Sequence, residues 1–314
     1  MASNENSGNL ESEIPARHSG KRLDEILAEL YPERSKAALQ KLVRRGKVIL
    51  DGERVLRSNV RPRRRARLRL KLEEPQPIAR AAQLDVIFED EDLIVINKPA
   101  GLLTHGNEKE RGTSLSDLVA ERFGRLPILM GEHRAGVVHR LDRETSGLIV
   151  LARTGSAMES LRLAFRERKV KKDYLALVHG RPIVDEQVLR WDLGPVAGHP
   201  DRQEVLSPGR GKSAETWVDL EEELGACSLL RCRPRTGRRH QVRVHLCAAG
   251  ASIVGDKIYG AKRAPSLPAG APSLSAHALH AQAIRLNHPG SGEEVCFEAP
   301  LRGEMEALIS WLRS

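Results

Sequence analysis

HRLDRETSGLIVLAR, residues 139–153, changes character at Gly147. Before the glycine lies a polar knot, His139 to Ser146. After it, Leu148-Ile149-Val150-Leu151-Ala152 is short, apolar and β-branched, which predicts a buried strand. Asp142 is therefore expected in a loop that feeds a core strand, where a rigid scaffold holds it. Arg140 and Arg143 flank it with positive charge, which favours an ionised carboxylate. An ordinary ion-paired loop would carry the same residues.

Further motifs lie on either side. Upstream, Asn97-Lys98-Pro99-Ala100-Gly101-Leu102 follows two predicted strands, 86–88 and 93–96. Lys98 precedes proline and is steered away from helix; Gly101 marks a tight turn. Ser114 and Asp117 predict the cap of a helix running through Phe123, and Thr154 caps a helix carrying Met158, Leu161 and Phe165. Downstream, Lys171 to Val178 reads as a strand holding Tyr174, a residue type that in strands usually packs. Residues 181–212 are rich in Gly and Pro and read as irregular, with Trp191 as an anchor. Strands follow at 216–218 and 227–232. In Arg235-Thr236-Gly237-Arg238-Arg239-His240-Gln241-Val242-Arg243-Val244-His245-Leu246, Gly237 predicts a helix N-terminus, a natural anion site. Gly250 terminates that helix. Residues 261–276, rich in Ala, Pro and Ser, read as a mobile loop.

Taken jointly, these motifs closely resemble the RluA-type pseudouridine synthases. HRLD-x-x-T-S-G-L matches without a break from His139 to Leu148. NKPxGL matches 97–102, K-x-Y matches at Lys172 and Tyr174, and TGR-x-HQ-h-R-h-H spans the third motif. VGDxxYG matches 254–260. The resemblance covers 84–301 and implies an α+β fold: a mixed, largely antiparallel sheet flanked by helices and loops. It implies that Asp142 is the nucleophile, that Arg243 pairs with it, and that Tyr174 lines the uracil pocket. It also implies that Arg140, beside His139, fills the gap left by a flipped base. The implied reaction turns uridine in RNA into pseudouridine without redox change, so no cofactor is expected. A carboxylate could add to the ribose or ring, or remove a ribose proton to give a glycal; both routes stay open.

Charge points to the same partner. The net charge is +9, yet residues 20–71 hold 17 Lys+Arg and 6 Asp+Glu, or +11, leaving −2 for the rest. That asymmetry implies a polyanion-binding module on a near-neutral body. Leu23, Ile26, Leu27 and Leu30 share a helical face that stops at Pro32. Ser35 caps a second, basic helix ending at Gly46. Val48-Ile49-Leu50, Asp51-Gly52 and Val55-Leu56 form a hairpin signal, and 61–71 reads as a strand with a basic outer face. This order resembles the small RNA-binding module named after ribosomal protein S-four, a small α/β domain. The resemblance puts Arg34, Ser35, Lys36, Arg44, Arg45 and Lys47 against RNA.

The expected organisation is a disordered tail at 1–18, the RNA-binding module at 19–72, a linker at 73–83 and the catalytic domain at 84–314. No apolar run is long enough to span a bilayer, and no secretory h-region is present. Cys227, Cys232, Cys247 and Cys296 lack disulfide or zinc spacing, so reduced and mostly buried thiols in the cytoplasm are expected. A monomer without metal, acting on RNA and most of all on large-subunit ribosomal RNA, is the leading expectation. Three others stand beside it: a synthase acting on transfer RNA, a non-catalytic ribosome assembly factor, and a hydrolase pairing Asp142 with Glu144.

Overall fold

The computed structural model describes residues 9–18, 20–32, 36–44, 46–71, 84–106, 114–128, 134–181, 186–260 and 267–314. The chain divides into two compact units, Met1–Ile78 and Ala79–Ser314.

The first unit packs two helices on a four-stranded antiparallel sheet. Its elements are β1 (Asn9–Glu13), α1 (Leu23–Leu30), α2 (Lys36–Arg44), β2 (Val48–Leu50), β3 (Glu53–Val55) and β4 (Arg67–Lys71). The strand order is β1-β4-β2-β3. Ile26, Leu27, Leu39, Val43, Val48, Leu68 and Leu70 form one core. In β4, Leu68 and Leu70 are buried while Arg67 and Arg69 face solvent, the alternation a half-buried strand requires. The expected disordered tail is corrected from residue 9 onward, residues 1–8 lying outside the described residues. Asn9–Glu13 pairs with Arg67–Lys71 along its length, and Ile14 is buried in the core. Backbone hydrogen bonds and one apolar anchor hold this edge strand, so side-chain periodicity gives no sign of it. The expected linker falls outside the described residues.

The second unit is built on a ten-stranded sheet. Its elements are β5 (Val86–Glu89), β6 (Leu93–Lys98), α3 (Leu115–Phe123), β7 (Ser146–Ala152), α4 (Gly155–Arg166), β8 (Lys171–His179), β9 (Gln187–Val196), β10 (His199–Leu206), β11 (Lys212–Leu224), β12 (Cys227–Pro234), α5 (Gln241–Ala248), β13 (Leu279–Asn287), β14 (Glu294–Glu298) and α6 (Glu304–Arg313). The order is β10-β9-β11-β12-β8-β13-β7-β6-β5, with β14 on β13. Every pairing is antiparallel except β13 with β7. The mixed, largely antiparallel α+β architecture is thus the one expected. The strand predicted from the opening stretch is β7, whose residues from Gly147 onward are buried. Both predicted caps form: Ser114 Oγ accepts from Asp117 N–H, and Thr154 Oγ1 from Ala157 N–H.

Two sequence readings change. Residues 187–206 are a hairpin, not irregular chain. Pro195 hides it in the sequence, but it stands beyond the last β11 pair, Leu193, and at the irregularity of the hairpin, opposite Gln203, a place where strands tolerate proline. The helix of the third motif begins at Gln241 rather than just after Gly237. Cys227 and Cys232 are buried and Cys247 is half-buried, but Cys296 is exposed. It sits on the solvent side of β14 between Val295 and the buried Phe297. Of 261–276, the described part is tethered where Ser275 donates to Glu304. Among the described residues, no helix is long and apolar enough to cross a membrane.

Candidate active site

Asp142 lies in the loop that precedes β7, and three features fix that loop. The first is Gly147, at φ +110°, where a Cβ would come within 2.3 Å of the Ala281 carbonyl oxygen. Only glycine allows β7 to run this close to β13. The second is Lys98, which is fully buried. Its ammonium donates to the carbonyls of Pro99 (2.9 Å), Leu102 (2.9 Å) and Arg143 (3.1 Å). Burial pushes it down to about 7, against the pull of Asp142. The third is Thr104, whose hydroxyl donates to Leu141 O and accepts from Leu141 N–H. The NKPAGL turn is therefore a structural clamp on the HRLD loop, joined also by Gly101 N–H to Arg143 O.

Arg243, on α5, reaches Asp142 from 101 positions away in the chain. Its Nη1 donates to Asp142 Oδ2 at 3.0 Å. Its Nε and Nη2 hold Asp256 in a fork at 2.7 and 2.9 Å. The guanidinium is 4% exposed, so the two carboxylates are what permit a buried charge there. Burial alone would raise Asp256. The arginine fork and the N–H groups of Tyr259 and Ile258 outweigh it and hold the carboxyl at about 2. Sequence reasoning missed Asp256; its only signal was its place in the VGDxxYG motif.

His240 closes the other side. It precedes α5 in the left-handed region, φ 55°. Its Nδ1 lies 2.7 Å from the Tyr259 hydroxyl, which also accepts from Gln203 N–H at 2.8 Å. Its Nε2 faces Asp142 Oδ1 at 3.7 Å. Burial lowers the imidazole's pKa despite the nearby carboxylates. Gln241 locks the turn before the helix, accepting from Thr236 Oγ1 and Arg238 N–H and donating to Glu215 O and Thr216 Oγ1.

A cleft of about 650 Å³ opens over these groups and is lined by Asp142, Tyr174, Arg140, His240 and Arg243. Tyr174 is fixed on β8 between Cys232 and Ala281. Burial, with Asp142 adding to it, pushes its hydroxyl well above the usual phenol range, so it stays protonated. Arg140 is exposed at the cleft and has no ion-pair partner among the described residues. His139, expected at the RNA, lines the cleft with its ring anchored from behind. Its Nε2 accepts from Val150 N–H at 2.9 Å and its ring stacks on Phe165. Burial, with Lys172 adding to it, lowers its pKa to about 3, so it brings no positive charge. Glu144 faces His277 Nδ1 at 3.6 Å and forms no described pair with Asp142. Among the described residues, no group of His, Cys, Asp and Glu could hold a metal.

Of the expected RNA contacts in the first unit, Arg34, Ser35 and Arg45 lie outside the described residues, as does the side chain of Lys36. Arg44 is exposed at the end of α2 and Lys47 is half-buried before β2.

Comparisons agree with this geometry. Residues 92–248 match the family model described as RNA pseudouridylate synthase, and residues 21–66 match the S4 domain. The chain is 37% identical over 318 residues to the ribosomal large subunit pseudouridine synthase D of Nitrosomonas europaea, covering 99% of this chain and 90% of that one. An RNA pseudouridine synthase of Aquifex aeolicus is 35% identical and covers 93% of both. Among solved structures, human RNA pseudouridylate synthase domain containing 4 shares the fold, with TM-score 0.56 at 24% identity, over 73% of this chain and 93% of that one.

Proposed function

The chain belongs to the RNA pseudouridylate synthase family, and on that premise we propose that it converts uridine to pseudouridine in large-subunit ribosomal RNA, with Asp142 as the reacting carboxylate. The observation that carries the reading is the bridge from the buried Arg243 to the half-buried Asp142 inside an otherwise open cleft.

The reaction breaks the bond from C1′ to N1, turns the uracil, and joins C1′ to C5. N1 gains a proton and C5 loses one, so the product is an isomer. Oδ2 of Asp142 is held by Arg243, which leaves Oδ1 to face the substrate. That oxygen attacks the ribose or ring, or takes a ribose proton; both routes fit the geometry. The target must first leave its stack, which costs a few kcal/mol and least in loops. Arg140 suits the vacated space because its planar group stacks on bases. Tyr174 supplies a ring against the uracil. Its raised pKa makes it a poor base for the late C5 proton, a step better served by Asp142 once the carboxylate is free again.

The relatives named for the ribosomal large subunit and the S4-type unit support that RNA over transfer RNA. The joined Asp142–Arg243 pair supports catalysis over a purely structural assembly role. The same proposal has the protein acting as a monomer in the cytoplasm, with no cofactor.

The test is Asp142→Asn. The variant should leave no detectable pseudouridine in unmodified large-subunit transcript, while RNA affinity stays within about twofold of the parent. Product formed at the parent rate would remove Asp142 from the mechanism.

A further inference from the structure

A second cleft of about 640 Å³ adjoins the first in the same unit. The two share a ridge of Arg168, Val170, Lys172, Pro234 and Arg235. Strand alternation puts most of the second cleft on the other face of the sheet. On β8, Lys171 and Asp173 point away from the Tyr174 side. On β12, Arg231 pairs opposite Leu175 and so shares the Lys171 face.

We propose that this second cleft carries the RNA strand flanking the target uridine, led over a cationic ridge onto the Trp217–Arg235 platform. The proposal rests on the function proposed above.

Positive charge gathers on the ridge and beside it at Lys171, with Glu215 drawing on Arg235. Arg168, Lys171, Lys172 and Arg235 make no ion pair among the described residues, whereas the neighbouring Lys169 pairs with Glu167. Deeper in, Arg231 is forked onto Glu221 and Arg233 is tied to Asp219. Asp173, Glu186 and Glu298 also line the cleft. The cations left for a phosphate therefore stand on the ridge, at Arg168, Lys172 and Arg235, and just inside the second cleft at Lys171.

Arg168 is held there at a conformational cost. It follows α4 at φ 60°, with its N–H on Phe165 O and that of Lys169 on Ala164 O. Glycine is the residue that ends a helix this way without strain. A long cation in that place points to a use for the side chain.

Trp217 is half-buried, one of three tryptophans in the chain. Its Nε1 donates to Glu215 at 2.8 Å, which fixes the indole. The Arg235 guanidinium lies 5.4 Å above its ring. A fixed aromatic capped by arginine, beside unpaired cations, suits stacked bases and a phosphate backbone. A protein partner would want a contiguous apolar centre, and this cleft has one aromatic among charges.

The test compares Arg168→Gly/Lys171→Gln with the parent on unmodified large-subunit ribosomal RNA transcript. Glycine relieves the strained turn, so lost binding cannot be blamed on folding. Affinity should fall on the order of tenfold at physiological salt, and the log–log salt slope should become shallower by roughly 1.5. Arg125→Gln/Arg302→Gln removes the same charge elsewhere on the unit and should bind as the parent does. Parent-like affinity and slope in the first variant, or an equal loss in the second, overturn the proposal. A loss seen only on assembled large subunits, and not on naked RNA, overturns it in favour of a protein partner. Pseudouridine formation by the parent is scored separately: if the parent makes none in any RNA, the proposed function itself fails, whatever the binding curves show.

Discussion

Arg243 holds Asp142 with one nitrogen at 3.0 Å and Asp256 with the other two at 2.7 and 2.9 Å. The structural carboxylate thus takes the better-aligned, bidentate half of the guanidinium. The reacting carboxylate takes a single bond and keeps its other oxygen available. A fork fixes orientation as well as charge, so Asp256 aims the arginine that in turn aims Asp142.

Asp256→Asn should therefore damage both stability and turnover. Leaving Arg243 buried with half its partners should cost about 3 kcal/mol. Misaligned by a fraction of an ångström, Asp142 should lose roughly 10- to 100-fold in kcat, with KM for RNA nearly unchanged. Denaturant melts and initial rates check the two effects. A variant with full activity would show that Asp256 does not position the site.

The same residue gives a pH signature. Its carboxyl is held at about 2 when folded, below the ordinary carboxylate value. A depressed pKa stabilises above the unfolded value near 4, and that stability is lost as pH falls towards 2. The contribution is about 2 kcal/mol. Melts at pH 5 and pH 3 should show a smaller acid-induced loss in Asp256→Asn than in the parent. Equal losses would contradict this.

Lys98→Met should take the ammonium from the carbonyls of Pro99, Leu102 and Arg143, leaving only Arg143 O with another donor, Gly101 N–H. The expected cost is about 3 kcal/mol, with kcat lowered because the Asp142 loop loses its clamp. RNA affinity, measured by filter binding, should change little. Undiminished kcat would mean that Thr104 and Gly101 hold the loop unaided.

Gly147→Ala should be among the most damaging single changes. A methyl group there meets the Ala281 backbone at 2.3 Å, in a conformation at φ +110°. Neither backbone can yield without breaking the β7–β13 junction, so more than about 4 kcal/mol is expected. Thermal unfolding followed by circular dichroism reads it directly; a parent-like transition would refute the steric argument.

Removing Met1–Ile78 should weaken RNA binding and flatten its salt dependence, because the excess positive charge lies there. The core of the remaining unit is its own, so circular dichroism should show the sheet retained. An unchanged salt slope would deny that unit its proposed role.

Much of this could be read along the chain. Apolar runs gave β6 and β7, capping residues gave the starts of α3 and α4, and the motif matches named Asp142, Tyr174 and Arg243. Edge strand β1 stayed hidden because backbone pairing leaves no side-chain pattern. The β9–β10 hairpin was masked by glycine and proline that stand only at positions of little cost. How the His139 ring is anchored could not be read from its adjacency to Arg140 and Asp142; its bond to Val150 N–H decides it.

The sequence alone determined which local elements form and which residue types are available for chemistry, since periodicity, caps and turn residues act over a few positions. It also determined that positive charge gathers in one N-terminal block. Only the tertiary structure decided which groups meet: Arg243 with Asp142 across 101 positions, Asp256 behind it, and Lys98 beneath the loop. Those contacts depend on burial and on hydrogen bonds made between distant strands, and no short-range pattern encodes them.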